Sequence, residues 1–196
     1  MRRFVLILIA LILIVAALGL PAAGGQGPKP APGQSLTISA RVGEVSRLNG
    51  EVRVKRRGGA EPQALQAGDT LVEGDVLTTG QQGRAEWTMR PGSYFQIGQN
   101  SRVRIDRMSG GSMRFGVERG EVFVIVGILD HAGELELDTP HALLTVARRG
   151  SYKIRVAPND DTAATVVRGE LRFVNRKGEA GRVTRHKQVR FFEKAG

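Results

Sequence analysis

Apolar and polar residues alternate one by one along most of the chain after Leu36. In Arg84–Arg90, Ala85, Trp87 and Met89 share one parity; Arg84, Glu86, Thr88 and Arg90 take the other. The same reading holds for Met113, Phe115 and Val117, and for Tyr152, Ile154 and Val156 against Lys153 and Arg155. Val52 and Val54, and Val103 and Ile105, alternate with basic neighbours. A period of two with one apolar face predicts half-buried strands. No window after Leu36 repeats apolar residues at i, i+3, i+4 and i+7 over three turns without a glycine, so no helix is predicted there. Glycine or asparagine interrupts the alternation every eight to twelve residues. Examples are Asn49-Gly50, Gly58-Gly59, Gly74-Asp75, Pro91-Gly92, Gly110-Gly111, Asn159-Asp160 and Lys177-Gly178. These read as hairpins or corners. The pattern predicts an all-β domain over 36–180, built of stacked short strands, solenoid-like or a sandwich. Trp87, Phe95, Phe115, Phe123 and Phe173 fall on strands and are expected in its core.

The first residues break the pattern. Arg2 and Arg3 precede 17 residues, Phe4 to Leu20, without a polar side chain, and small residues follow at 21–25. This is the order of a signal peptide. The run also sits at the lower end of the roughly 17–25 residues that span a bilayer. Residues 1–25 are therefore expected to be a signal peptide or a membrane-anchor helix. Residues 26–35, rich in proline and glycine, are expected to be a flexible linker. Membrane contact is expected only through residues 1–20, and only if they stay attached. The expected location is the periplasm or the outside of the cell, with inner-membrane anchoring as the alternative.

Composition narrows the chemistry. Among 196 residues there is no cysteine, which excludes disulfides, thiolate metal sites and thiol nucleophiles. Only His131, His141 and His186 could serve a histidine site. The net charge is +10, but 21 basic residues face 18 acidic ones between 34 and 180. The excess lies in the termini rather than across a folded face, so no nucleic-acid partner is expected. Residues 181–196 carry a balance of +4 and read as a basic tail or a last strand. Arg182, Arg185, Lys187 and Arg190 are its candidate surface-binding residues, toward an anionic wall or lipid surface.

A dipeptide recurs. Gly-Glu followed by Val or Leu starts at Gly43, Gly50, Gly120 and Gly169, and Gly-Asp-x-Leu starts at Gly68 and Gly74. The spacing is irregular, so no strict repeat array is predicted. Further segments follow in order: Pro91-Gly92-Ser93, Ile97 to Ser101, Val117 to Val124, Leu135 to Pro140, Ala147 to Ile154, and Thr162 to Val174. Taken together, Val42 to Val174 resembles the FecR-type domain of bacterial envelope proteins. Ser151 stands where that pattern has threonine. The best-known members carry a cytoplasmic anti-sigma segment before the membrane and a short signalling domain after the FecR region. With three residues before its apolar run, this sequence is expected to lack both. The resemblance then implies an envelope location, an all-β fold and a binding role, without the sigma-factor function itself.

Catalytic arrangements find little support. Asp69 and Asp75 follow glycine in a repeated turn, where a carboxylate ordinarily accepts backbone N–H groups. Asn159-Asp160-Asp161 lacks calcium-loop spacing, Ser151 lacks the nucleophile elbow, and no phosphate loop is present. No catalytic residue, cofactor or metal is expected. The expected function is a non-enzymatic envelope module acting by protein–protein or cell-surface contacts in signalling or regulation. The alternative is a carbohydrate- or peptidoglycan-binding module. N-terminal sequencing of the protein from the envelope fraction should find the chain beginning after the apolar run. An intact Met1 in the membrane would show an anchor, and full-length soluble cytoplasmic protein would refute export.

Overall fold

The computed structural model describes residues 43–109, 111–129, 135–158 and 161–192. The expected signal or anchor and the linker lie outside the described residues. The chain divides into units at 1–38 and 39–196, and every described residue belongs to the second.

The described residues form fifteen strands and no helix. They are β1 (Glu44–Asn49), β2 (Val52–Lys55), β3 (Gln63–Ala64), β4 (Val76–Thr79), β5 (Arg84–Arg90), β6 (Ser93–Ile97), β7 (Arg102–Ser109) and β8 (Ser112–Val126). Then follow β9 (Leu135–Asp138), β10 (Ala142–Val146), β11 (Gly150–Val156), β12 (Thr162–Arg168), β13 (Glu170–Asn175), β14 (Ala180–Thr184) and β15 (Lys187–Phe191). One half-sheet runs β1-β5-β6-β8-β11-β12-β15, antiparallel throughout. The other runs β3-β2-β4-β7-β8-β9-β10-β13-β14, with β8–β9 the one parallel pair. Nearly every ladder is antiparallel, unlike the parallel coils of a β-helix. Two half-sheets facing across one core describe the fold, rather than a solenoid.

Strands were expected to be short, yet β8 has 15 residues and belongs to both halves. Met113–Val117 pairs with β7 in the second half, and Val122–Val126 pairs with β6 and β11 in the first. The strand bends at Gly120, whose φ is +90°. A Cβ there would lie 2.1 Å from Ser101 Oγ. Ser101 Oγ in turn accepts the Glu121 N–H at 3.0 Å, and the Ser101 N–H donates to Thr79 Oγ1 at 2.9 Å. Thr79 donates its own hydroxyl to the Gly98 carbonyl at 2.7 Å. Ser101 and Thr79 are buried, so these bonds satisfy polar groups that would otherwise be costly.

The recurring Gly-Glu marks where the chain passes from one half to the other. Gly50 joins β1 to β2, Gly120 bends β8, and Gly169 joins β12 to β13. All three have left-handed φ, which glycine adopts without strain. Their irregular spacing follows, because the strands between corners differ in length. Pro91-Gly92 and Lys177-Gly178 are hairpins, as expected, while Asn49-Gly50 is a corner.

Inward residues follow the predicted parity: Trp87, Phe95, Phe115, Tyr152, Ile154, Val54 and Ile105 are all fully buried. Trp87 stacks on Phe95 with centroids 4.4 Å apart, and Phe115 from β8 meets Trp87 edge-on at 5.7 Å. This trio ties the two halves together. Two of the expected core aromatics sit elsewhere. Phe123 lies half-buried on the outer face of its half-sheet, because the bend at Gly120 resets the parity of β8. Phe173 is half-buried and packs against Phe191 at 5.0 Å. Tyr152 donates its hydroxyl to the Arg148 carbonyl and accepts the Glu170 N–H at 3.2 Å, bracing the Gly169 corner. Burial pushes its phenol up, and the hydrogen bonding with the Glu170 backbone partly offsets this.

Among the described residues the Trp87 indole N–H has no acceptor. Trp87→Ala should therefore cost about 3–5 kcal/mol through lost packing. Trp87→Phe should cost far less, since no hydrogen bond is lost. Denaturant midpoints of the two variants measure both; an unchanged midpoint for Trp87→Ala would refute the core assignment.

Candidate functional site

The paired aspartates are structural. Asp75 is fully buried. It accepts Arg56 Nη1 at 2.7 Å, the Val72 N–H at 3.0 Å and the Arg57 N–H at 3.4 Å. Asp69 accepts the Gln66 N–H at 2.8 Å across a tight turn. Their roles are those expected from the turn chemistry. His141 meets the Thr162 hydroxyl at 3.3 Å. Among the described residues no group of three His, Asp or Glu side chains is placed to hold a metal ion, and no helix is long and apolar enough to cross a membrane.

The turn held by Asp69 and Asp75 has a second consequence. Residues 65–71 lie along the outer edge of β1. Val45 N–H donates to the Asp69 carbonyl at 2.9 Å, Gly68 N–H to Val45 at 2.9 Å, and Leu71 N–H to Gly43 at 2.8 Å. This edge of the first half-sheet is thereby covered. The opposite edge is β15, which pairs with β12 on one side only. Beside it in the other half, β14 pairs only with β13. Among the described residues, the first half-sheet is covered at its β1 edge and uncovered at its β15 edge.

The segment read as a basic tail or a last strand contains both β14 and β15, and it carries the uncovered edge. The candidate cations do not share a surface. Arg182 is exposed on the outer face of β14, directly opposite Arg172 of β13. Arg190 is exposed on β15, on the outer face of the other half-sheet. Arg185 and Lys187 flank the turn between them, with Arg185 Nε 3.2 Å from His186 Nε2. A cleft of about 670 Å³ opens at this end, with Phe173, Val189, Phe191 and Phe192 on its walls. Phe192 is 61% exposed. A strand edge with unpaired backbone groups beside exposed apolar side chains can accept another extended chain. The sequence showed the cations but not this edge, because strand order is set by long-range pairing.

The FecR protein family profile matches residues 75–172, half of the chain. No curated protein matches. Two crystal structures of a protein described as an anti-sigma factor from Parabacteroides distasonis ATCC 8503 share the fold, each with a TM-score of 0.50. Their identities to this chain are 16% and 15%. The likeness covers 59% of this chain and 53% of each of those. The chain thus spans about half the length of the structures it matches.

Replacing Asp75 by alanine removes a buried carboxylate, leaves the Val72 and Arg57 N–H groups without it and leaves Arg56 its bond to the Thr70 carbonyl. The expected loss is about 2–3 kcal/mol, from the charge-assisted hydrogen bonds removed. Asp69→Ala, at an exposed turn, should lose only about 0.5–1.5 kcal/mol. Thermal or denaturant unfolding of both variants checks the ranking, and equal losses would contradict the structural assignment of Asp75.

Proposed function

This chain belongs to the FecR protein family, and from that premise we propose that it is a non-catalytic module of the bacterial cell envelope that acts in signalling or regulation by holding a protein partner. One observation carries the reading: the first half-sheet is covered at β1 and uncovered at β15. Edge strands left open invite pairing, and proteins ordinarily shield them. Here residues 65–71 shield one end and none of the described residues shields the other. Lys187 and Arg190 charge the open strand, which disfavours pairing with a second copy of the same strand and favours an acidic one. The partner is an extended segment of another envelope protein, added as a strand beside β15. Its apolar side chains would enter the cleft beside Phe192. The likeness to a protein described as an anti-sigma factor supports a regulatory setting. The apolar run at Phe4–Leu20 supports export.

A photo-crosslinking amino acid placed at Gln188 of β15, in the full chain in its native envelope, should give a discrete protein adduct. The same group at Arg53 of β2, near the covered edge, should not. Reversal of charge by Lys187→Glu with Arg190→Glu should reduce the adduct at Gln188 several-fold. An adduct from Arg53 alone, or none from Gln188, would sink the proposal.

A further inference from the structure

The outer faces of the two half-sheets treat their charges differently. Around β7, β8 and β9 of the second half, cations and anions satisfy one another, whereas Arg172 and Arg182 of β13 and β14 face each other. Arg102 pairs with Glu118 at 2.7 Å, Arg104 with Glu118 at 3.0 Å and with Asp106, and Arg114 with Glu136 at 2.6 Å. The Arg104–Asp106 pair lies across Gly116, where a Cβ would come within 3.0 Å of the guanidinium. These contacts hold the Arg104 and Arg114 guanidinium groups still more firmly protonated, mainly by hydrogen bonds to Asp106 and Glu136.

The first half carries a row of arginines with no such partners among the described residues. Its register places them in one row perpendicular to the strands. Asn49 of β1 is opposite Arg84 of β5, and Arg84 lies one step beyond the Ala85–Ile97 pair, level with Gly98. The Gly98 N–H donates to the Glu121 carbonyl of β8 at 2.8 Å. Glu121 is opposite Arg155 of β11, Arg155 opposite Ala163 of β12, and Ala163 opposite Arg190 of β15. Arg119 joins this line just before the bend in β8. Arg84, Arg119, Arg155 and Arg190 are all exposed. None makes an ion pair with a described residue, and none has a further contact beyond those described. Glu121 is already held by Lys153 at 2.8 Å. Asp161, the other acid on the rim, is itself partnered.

Between the long cations stand small residues. Gly98 separates Arg84 from β8, and Ala163 separates Arg155 from Arg190. The result is a furrow: two depressions of about 670 and 460 Å³ that share Glu121, Arg155 and Ala157. From β5 to β15 it crosses five strand spacings, about 24 Å at ~4.8 Å each. Arg84 and Arg155 are three spacings apart, Arg155 and Arg190 two. A single small anion cannot bridge these intervals, whereas a chain carrying anions at intervals can.

The direction of the furrow limits which chain. A peptide gains affinity on a sheet by lying along a strand edge, where its backbone joins the ladder. A chain lying across the strands meets side chains only. The next row inward consists of Glu86, Gln96, Phe123, Lys153, Thr165 and Gln188, in register. Glu86 accepts Gln96 Nε2 at 2.6 Å and the Ser46 hydroxyl, and Lys153 is paired with Glu121, so the charges of this row are taken up within the sheet. It offers amides and a hydroxyl for hydrogen bonds and one half-buried aromatic ring. Hydroxyl-bearing rings linked in a chain and carrying anionic groups match both rows.

We propose that this furrow binds a polyanionic glycan, a sugar polymer bearing phosphate or carboxylate groups. The guanidinium groups take the anions bidentately, while Gln96, Thr165 and Gln188 hydrogen-bond to ring hydroxyls beside Phe123. The site is distinct from the β15 edge, which engages protein along the strand direction, and the two meet at Gln188 and Arg190 of β15.

Binding of the full chain, kept in a polyoxyethylene detergent, is measured to polygalacturonate as the carboxylate probe and to phosphomannan as the phosphate probe. The comparison ligands are neutral dextran and poly-L-glutamate. Wild-type protein should bind at least one charged glycan, at least tenfold more tightly than either comparison ligand. Which glycan is preferred identifies the anion. Binding should weaken by tenfold or more between 50 and 500 mM salt, since exposed charges are screened. Arg84→Gln with Arg155→Gln should reduce affinity at least tenfold with an unchanged melting temperature. Phe123→Ala should reduce glycan binding while leaving the weak attraction to poly-L-glutamate unchanged. Arg172→Gln with Arg182→Gln, on the opposite face, should have no effect. Equal binding to poly-L-glutamate would show an acidic-peptide site or general charge attraction and overturn the glycan. Failure to bind either charged glycan, or equal loss from the Arg172 and Arg182 variant, would overturn the site. Because cross-linking at Gln188 reads the protein partner separately, either proposal can fail without the other.

Discussion

The fold depends on one bend. At Gly120 the longest strand turns from one half-sheet into the other, against a serine that would collide with any side chain there. Ser101 and Thr79 lock the turn by satisfying backbone groups of Glu121 and of the 98–101 connection. Because β8 serves both halves, the hydrogen-bond ladder is continuous, and the two apolar faces are brought together without a helix or a disulfide. The aromatic cluster of Trp87, Phe95 and Phe115 exists because of this bend, since Phe115 lies on one side of it and β6, bearing Phe95, pairs with the other and carries β5 with Trp87 beside it. Aromatic pairs contribute about 0.5–1.5 kcal/mol each beyond their burial, so the bend and the core reinforce one another.

A chain that repeatedly passes between two facing sheets must begin and end at their edges. In this protein the two ends are treated unequally. Around β1, a turn fixed by buried Asp75 folds back and takes up the free backbone groups. Around β15 no described residue does so, and the exposed strand lies beside aromatic side chains. Edge exposure carries a risk of aggregation, and the positive charge of Lys187 and Arg190 limits it for identical strands while leaving acidic ones free to pair.

The outer faces show a similar division of labour. Charges around β7, β8 and β9 of the second half-sheet are spent on one another in a cross-strand ladder. Exposed pairs of this kind add little stability individually, about 0–1 kcal/mol, but they leave few cations for a ligand. The first half-sheet keeps Arg84, Arg155 and Arg190 without ion partners among the described residues and in register, with small residues between them. Function in this molecule is therefore expected on the first half-sheet, along its face and at its free edge.

Much of this was legible in the amino-acid order. The two-residue period around Trp87, Ile154 and Ile105 fixed both strand identity and inward faces, because a pleated backbone sends successive side chains to opposite sides. The roles of Asp69 and Asp75 could be read from glycine-turn chemistry, which is local. The order of motifs from Gly68 to Val174 pointed to the FecR family. Other features could not be read, because they depend on which strands become neighbours. The parity of Phe123 reverses at a bend that only Ser101, some twenty residues away, makes necessary. Arg182 and Arg190 look alike in sequence, yet pairing with β13 and β12 sends them to opposite faces. Arg84, Arg155 and Arg190 are far apart along the chain and become a row only through registers set by β8, β11, β12 and β15. Local periodicity decides what each strand is; long-range pairing decides what the strands together present.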